Sequence, residues 1–144
     1  MRKVSHAVLT IKGNYVLQLR DENPDIFEPG KWSLFGGEIE FSESPEEAIV
    51  REIQEELCIT LQDFRPLCNF GYHDAVTRQD IYFNIFESEI SDLWGKCRLL
   101  EGQAVKHYHF EELGKLQVPK IIMKILGYHF QKSNSSSPFW EFAP

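Results

Sequence analysis

Residues 44–57 predict a helix that must lie against a sheet. Ser44 and Glu47 form a capping-box pattern, in which each side chain bonds the backbone N–H of the other, and Pro45 occupies the first helical position, where its missing N–H costs nothing. Apolar residues at helical spacing fall on one stripe of this segment, namely Ile49, Val50, Ile53 and Leu57. Because such a stripe must be buried, we expect the helix to begin after Ser44, run to about Leu57 and face a sheet.

Strand-like segments lie on both sides of this helix. Short apolar or alternating runs bounded by glycine, proline or asparagine predict strands at 4–11, 15–20, 32–34, 64–71, 81–87 and 104–110. Gly36-Gly37 is expected to break the third run sharply, and Pro119 to start a second helix. Strands before and after a helix predict an α/β domain with a mixed central sheet. We place this domain at residues 1–132 and a serine-rich, then aromatic, tail at 133–144.

Composition excludes several classes of protein. A chain of 144 residues fits one domain. Its cysteines, Cys58, Cys68 and Cys97, form no C-x-x-C pair, so we expect free thiols rather than disulfides or a structural zinc site. No apolar run is long enough to cross a bilayer and no signal peptide is apparent, so we expect a cytoplasmic protein without a membrane partner. The net charge of −7 gives no general attraction for duplex nucleic acid.

Three glutamates are clustered on one side of the predicted helix. Glu52, Glu55 and Glu56 have the spacing i, i+3, i+4, which places them on one side of the helix, next to the apolar stripe. They repel one another, and they lie near the helix C-terminus, where the macrodipole disfavours negative charge. A solvated acidic face is one interpretation. The other is a site for a hard divalent cation such as Mg²⁺, which takes oxygen ligands and is completed by substrate phosphates.

The pattern extends well beyond the glutamates. From Gly37 to Ile59 the chain reads Gly37-x5-Glu43-x7-Arg51-Glu52-Ile53-x-Glu55-Glu56-x-Cys58-Ile59. This closely resembles the signature of the Nudix hydrolases, which is Gly-x5-Glu-x7-Arg-Glu-apolar-x-Glu-Glu-x-Gly-apolar. The chain departs from the signature only at Cys58, and Phe35 stands where many members have proline. Because the missing glycine follows a helix end, we expect Cys58 in a left-handed conformation at a cost of about 1 kcal/mol.

The resemblance implies a fold and a metal site. It implies a Nudix-type α/β/α sandwich with a mixed central sheet. It also implies that Mg²⁺, with Mn²⁺ as a possible substitute, is bound by Glu52, Glu55 and Glu56 and by the backbone carbonyl of Gly36.

The neighbouring residues are given supporting roles by the same resemblance. Arg51 would orient a glutamate, either within the helix or at Glu43, and Glu43 would anchor the loop that leads into the helix. Gly36 and Gly37 would let the backbone approach the diphosphate. We therefore expect Gly37, Glu43 and Glu101 at the substrate.

The implied reaction is the hydrolysis of a diphosphate linkage in a nucleoside diphosphate joined to another moiety. The cation would position the diphosphate and acidify the attacking water, and a carboxylate would accept its proton. We rank Glu52 as the first candidate for this base, Glu55 as the second and Glu101, from a later loop, as the third. Possible substrates are nucleoside triphosphates, oxidised ones included, nucleotide sugars, ADP-ribose and dinucleoside polyphosphates.

Two other functions stay open at this stage. A Nudix domain can serve as a non-catalytic nucleotide sensor or interaction module, although such domains usually lose a metal carboxylate and this chain keeps all three. The other alternative is a hydrolase of RNA 5′ ends, which the acidic charge and the lack of a basic stripe disfavour. The aromatic tail is compatible with packing on its own domain or across a homodimer.

Overall fold

A computed structural model of the chain describes residues 1–23, 29–100 and 102–134. Its regular elements are seven strands, two α-helices and two short 3-10 helices, Ser91–Lys96 and Phe110–Lys115. In chain order the elements are β1 (Arg2–Ile11), β2 (Asn14–Leu19), β3 (Trp32–Ser33), β4 (Phe35–Glu38), α1 (Pro45–Leu57), β5 (Arg65–Asp74), β6 (Gln79–Glu89), β7 (Ala104–Tyr108) and α2 (Lys120–Asn134).

All seven strands belong to one mixed sheet. Its main path runs β3-β2-β1-β6-β5, in which β1 and β6 are parallel and the other pairs are antiparallel. β7 pairs with β2, and β4 pairs with the first half of β1, from Val4↔Glu38 to Ala7↔Phe35. The β1–β4 pairing brings the glycine pair Gly36-Gly37 to the centre of the sheet.

The two helices cover opposite faces of this sheet. The apolar stripe of α1 is buried against one side of β1, β2 and β6, in a core made of Ala7, Leu9, Val16, Phe35, Ile49, Ile53, Leu57 and Phe86 among others. The other face carries α2, in a second core that contains Val8, Leu17, Phe83, Ile122, Ile125 and Leu126. The predicted α/β/α sandwich is therefore confirmed, with residues on opposite sides of β1, β2 and β6 serving the two cores.

Three local predictions were wrong at their edges. Gly36-Gly37 lies inside β4, and the break between β3 and β4 falls at Leu34 instead. Gly36 stays paired with β1 because glycine tolerates its φ of +144°. The last strand ends at Tyr108, where His109 caps the following 3-10 helix. Helix α2 continues through Ser133 and Asn134, which we had assigned to the tail. The remainder of the tail, from residue 135, lies outside the described residues.

The end of α1 has the conformation expected from the replaced glycine. Cys58 follows the helix with φ 59° and ψ 33°, in the left-handed region, and its N–H bonds the Gln54 carbonyl at 3.0 Å. Its side chain is exposed, and all three cysteines are free. The left-handed backbone therefore closes the helix end, and the contact of the thiol with Gln54 Nε2, at 4.0 Å, is too long to offset the cost of this conformation.

We expect Cys58→Gly to raise the free energy of unfolding by about 1 kcal/mol, because glycine adopts the left-handed conformation without strain. Urea denaturation would measure the change. Cys58→Ala is the matched control, since it removes the thiol but keeps the Cβ, and we expect no comparable gain from it. An equal gain in both variants would trace the effect to the thiol and contradict the backbone explanation.

Within the described part of the chain, neither helix combines the length and the apolar character that crossing a membrane requires.

Candidate active site

Arg51 organises the loop that precedes α1. Its guanidinium holds both oxygens of Glu43, with Nε–Oε2 at 2.7 Å and Nη2–Oε1 at 3.0 Å. Glu43 also accepts the N–H of Glu40 at 2.9 Å, while Nη2 of Arg51 donates to the Glu38 carbonyl at 2.9 Å. The hydrogen bond from Arg51, followed by that from Glu40, lowers the pKa of Glu43 to about 2. Of the two partners considered for Arg51, Glu43 is therefore the one that binds the guanidinium through both carboxylate oxygens. Glu43 also anchors the loop, through the Glu40 N–H.

The same guanidinium reaches two of the helix carboxylates. Nη1 of Arg51 lies 3.0 Å from Glu52 Oε1 and 3.3 Å from Glu55 Oε2. Hydrogen bonds to Glu43 and, to a smaller extent, to Glu52 raise the pKa of Arg51 above its already high usual value, so the side chain stays positively charged at every relevant pH. Glu52 is mostly buried, whereas the Glu55 side chain is 50% exposed. Arg51 thus compensates part of the repulsion between these carboxylates and gives Glu52 a defined orientation.

Gly37 forms the wall against which the Glu52 carboxylate lies. A Cβ placed on Gly37 would be 2.5 Å from Oε1 of Glu52 and 2.6 Å from its Cδ. The position does not have a left-handed φ, so the need for glycine here comes from space and not from backbone conformation. Backbone and carboxylate can approach this closely only because the side chain is absent.

Glu56 is the buried member of the three. It is 3% exposed, and each of its oxygens accepts a neutral N–H: Oε1 from the Gly36 backbone at 2.9 Å and Oε2 from Gln18 Nε2 at 2.8 Å. Gly36 itself is pressed onto β1, since a Cβ there would meet Ser5 O and, at 2.7 Å, Cα of His6. Gln18 was missed by the sequence reading. The available signal was a polar residue two positions after Val16, on the side of β2 that faces α1.

Glu101, the third candidate base, lies outside the described residues. The residues on either side of it are hydrogen-bonded to α1 and to β2. The Leu100 N–H bonds the Glu56 carbonyl at 2.9 Å, and the Gln103 N–H bonds the Leu19 carbonyl at 2.8 Å. Whether Glu101 serves the site stays a prediction.

The residues present suit a hard cation by their chemistry. Three carboxylates and the backbone of Gly36 form an all-oxygen donor set, and the close packing of Glu52 on Gly37 is a cradle that any Cβ would fill. In the described ranges, however, no three His, Cys, Asp or Glu side chains converge on one point. Arg51 draws Glu52 and Glu55 toward itself, while Gln18 and Gly36 hold Glu56. Of the three side chains, that of Glu55 is the most exposed, and its carboxylate is therefore the one with most room to move toward a cation.

A cavity of about 880 Å³ lies elsewhere, near the end of β1 that is remote from Gly37. Thr10, Lys12, Glu87 and His129 are among its lining residues, and Tyr15 Oη is 2.8 Å from His129 Nδ1 in its wall. None of Glu52, Glu55 and Glu56 lines it. The carboxylates and the glycine pair therefore form a separate site.

Comparison with known proteins assigns the family. The model of the Nudix domain matches residues 1–120. The 8-oxo-dGTP diphosphatase of Escherichia coli K12 is 35% identical over 94 residues, which are 59% of this chain and 70% of that protein.

Solved structures show the same fold. The MutT Nudix hydrolase of Burkholderia pseudomallei superposes with a TM-score of 0.74 at 24% identity, over 89% of this chain and 95% of that one. The Escherichia coli ORF135 protein gives 0.77 at 20% identity, over 96% and 95% of the two chains. The Nudix domain of Shewanella oneidensis NrtR, solved with ADP ribose, gives 0.75 at 18% identity, over 91% and 87%. With the signature residues gathered around Arg51 and the family model spanning most of its length, the chain belongs to the Nudix family of pyrophosphohydrolases.

Proposed function

We propose that this protein is a Mg²⁺-dependent hydrolase that cleaves the diphosphate linkage of a small nucleotide-type substrate by attack of water on phosphorus. Mn²⁺ is expected to substitute for Mg²⁺. The observation that carries the proposal is the complete carboxylate set on α1, with Glu52 lying on Gly37, Glu56 bonded to Gly36, and Arg51 between Glu52 and Glu55. A domain that had lost catalysis would have no need to keep this repelling set together.

Cation binding, proton transfer and orientation are assigned to the residues of this set. Glu52, Glu55 and Glu56, with the Gly36 carbonyl, would hold the cation, which when bound neutralises the diphosphate and acidifies water. Glu52 accepts the proton of the attacking water, with Glu55 and then Glu101 as the alternatives. Arg51 keeps Glu52 oriented and, through Glu43, keeps the loop and Gly37 in place beside it.

The relatives suggest which substrates to test first. The Escherichia coli relative is an 8-oxo-dGTP diphosphatase, and its identity to this chain extends over 94 residues. We therefore place free nucleoside triphosphates, oxidised ones among them, ahead of other classes. The NrtR domain was solved with ADP ribose, so ADP-ribose is the second class.

The test is phosphate release from a panel of nucleoside triphosphates, 8-oxo-dGTP, nucleotide sugars, ADP-ribose and dinucleoside polyphosphates. Each reaction is run with Mg²⁺, with Mn²⁺ and with EDTA, and with or without added pyrophosphatase or phosphatase, which identifies the product. A Glu55→Gln, Glu56→Gln double variant is run beside the wild type. We expect one class to be turned over in the presence of metal, and the turnover to be lost with EDTA and in the double variant.

Other outcomes would favour the alternatives. A ligand that binds without any turnover across the panel would support the sensor function. Cleavage of 5′-triphosphate RNA in preference to every free nucleotide would support an RNA 5′-end hydrolase. Turnover that persists in EDTA would overturn the metal-dependent mechanism.

We expect Gly37→Ala to lower kcat about 10²-fold with little effect on stability. The new Cβ would displace the Glu52 carboxylate by roughly an ångström, and misplacement on this scale costs rate on that order. The clash involves only the end of a flexible side chain, so the free energy of unfolding, measured with urea, should change by less than about 1 kcal/mol. Gly71→Ala is the control, because a Cβ there meets nothing within 4 Å. Wild-type kcat in Gly37→Ala would show that Glu52 does not depend on this contact.

A further inference from the structure

Gln18 lies on β2 and turns its amide toward the carboxylates of α1. It is 3% exposed in the interior of the sheet, on the α1 side. Its Nε2 donates to Oε2 of Glu56 at 2.8 Å and to the Leu34 carbonyl at 3.1 Å. Because both partners only accept hydrogen bonds, the amide nitrogen must face them and the amide has one possible orientation.

Two donors from different strands hold the Glu56 carboxylate. Gln18 of β2 binds one oxygen, and the Gly36 N–H of β4 binds the other at 2.9 Å. With both oxygens engaged, the carboxylate plane cannot rotate freely. Both of these donors, a side-chain amide and a backbone amide, are neutral, so they orient the carboxylate without adding a positive charge to it. Arg51, by contrast, orients Glu52 and Glu55 at the expense of their charge.

A purely structural role for Gln18 would be to satisfy the Leu34 carbonyl. That carbonyl takes one N–H of the amide, and the shorter bond goes to the carboxylate, where a charged acceptor makes the hydrogen bond stronger. The amide oxygen faces Gly102, at which a Cβ would come within 3.1 Å of it. Gln18 thus fills the space between Glu56 and the chain that enters β7, with its donor end on the carboxylate.

We propose that Gln18 is a positioning residue for the cation, acting through Glu56. The inference rests on the proposed function, since Gln18 needs a cation site in order to act on one. Loss of a hydrogen-bond partner behind a metal ligand typically weakens metal binding 10- to 100-fold. We therefore expect loss of the Gln18 amide to raise the Kd for Mn²⁺ and the Mg²⁺ concentration for half-maximal activity by about 10- to 100-fold. Turnover should recover when Mg²⁺ saturates the site, because Gln18 is buried and its amide donates to Glu56 rather than to Glu52, the proposed base.

The test compares Gln18→Met and Gln18→Leu with the wild type and Gln54→Met. Both Gln18 variants remove the donors but differ in shape, so that one can fold if the other packs badly. Gln54 lies on the exposed side of α1 and bonds Cys58 and Thr60, which makes it a matched control for the same substitution. Mn²⁺ binding to the free protein is measured by electron paramagnetic resonance, without substrate, at a temperature where urea titration shows each variant to be folded. Mg²⁺ dependence of kcat and KM follows on the same samples.

The outcomes separate this inference from the proposed function. Weaker Mn²⁺ binding in a folded Gln18 variant, an unchanged Kd in Gln54→Met, and recovery of kcat at high Mg²⁺ are the expected results. A wild-type protein that binds no Mn²⁺ would overturn the metal site itself, and the role of Gln18 with it. Wild-type binding with an unchanged Kd in a folded Gln18 variant would overturn the role of Gln18 alone. An equal loss in Gln54→Met would also overturn it, by showing a general effect on α1.

Discussion

Glu52→Gln is expected to lower kcat by about 10²- to 10⁴-fold at saturating Mg²⁺, the range associated with loss of a general base. Glutamine preserves the shape of the side chain and can still accept the 3.0 Å hydrogen bond from Arg51 Nη1. It also retains the packing on Gly37. The substitution therefore removes the negative charge and the proton acceptor while leaving the geometry in place. Steady-state assays with the substrate identified from the nucleotide panel would measure the decrease in kcat.

A matched control is Glu46→Gln in the first turn of α1, which lies on the exposed surface and whose activity should equal that of the wild type. Mn²⁺ titration of Glu52→Gln would separate weaker metal binding from loss of the base, since saturating metal restores only the former. Retention of most turnover at saturating Mg²⁺ would remove Glu52 from the role of base. Glu55, and after it Glu101, would then be tested by the same substitution.

Gly36→Ala is expected to destabilise the fold by about 4 kcal/mol or more, which is at the upper end of single substitutions. Gly36 has a φ of +144°, which side-chain-bearing residues rarely adopt. Its Cβ would also meet the backbone of Ser5 and His6 on the neighbouring strand. Neither β1 nor β4 can move apart to relieve this clash without breaking the pairing between them.

Urea denaturation of Gly36→Ala, beside Gly37→Ala, would test this expectation. The two substitutions are adjacent in sequence and chemically the same. The new Cβ at Gly36 would clash with backbone atoms of β1, whereas the one at Gly37 would clash with the Glu52 carboxylate. We expect a much lower midpoint for Gly36→Ala and a nearly unchanged one for Gly37→Ala. Similar midpoints for the two variants would contradict the distinction between backbone and side-chain contacts.

Local features of the chain could be predicted because their causes are local. The capping box of Ser44 and Glu47 forms as expected, with Glu47 N to Ser44 Oγ at 3.0 Å. Cys58 takes the left-handed conformation that commonly ends a helix, although cysteine has no preference for it. The spacing of Glu52, Glu55 and Glu56 places them on one side of α1 for the same reason, since helical geometry alone sets their directions.

The elements themselves were predicted better than their ends. Six of the seven described strands, and the helix after Pro119, lie where hydrophobic periodicity placed them, whereas β4 was not predicted. The end of α2 at Asn134 was missed because a polar, serine-containing segment can prolong a helix when the preceding turns are held by tertiary packing. Gly36-Gly37 was misread as a strand end, because a glycine pair usually interrupts a strand and here a neighbouring strand retains it.

By itself the sequence determined the family and the helix that presents the proposed carboxylates, because both follow from spacing along a short stretch of chain. Only the tertiary structure decided that Glu43 is the bidentate partner of Arg51, that Gly37 is the wall for Glu52, and that Gln18 holds Glu56. Gln18 and Glu56 are 38 residues apart. Such contacts depend on the register of the strands and on how α1 is seated on them, and that register results from the packing of the whole sheet.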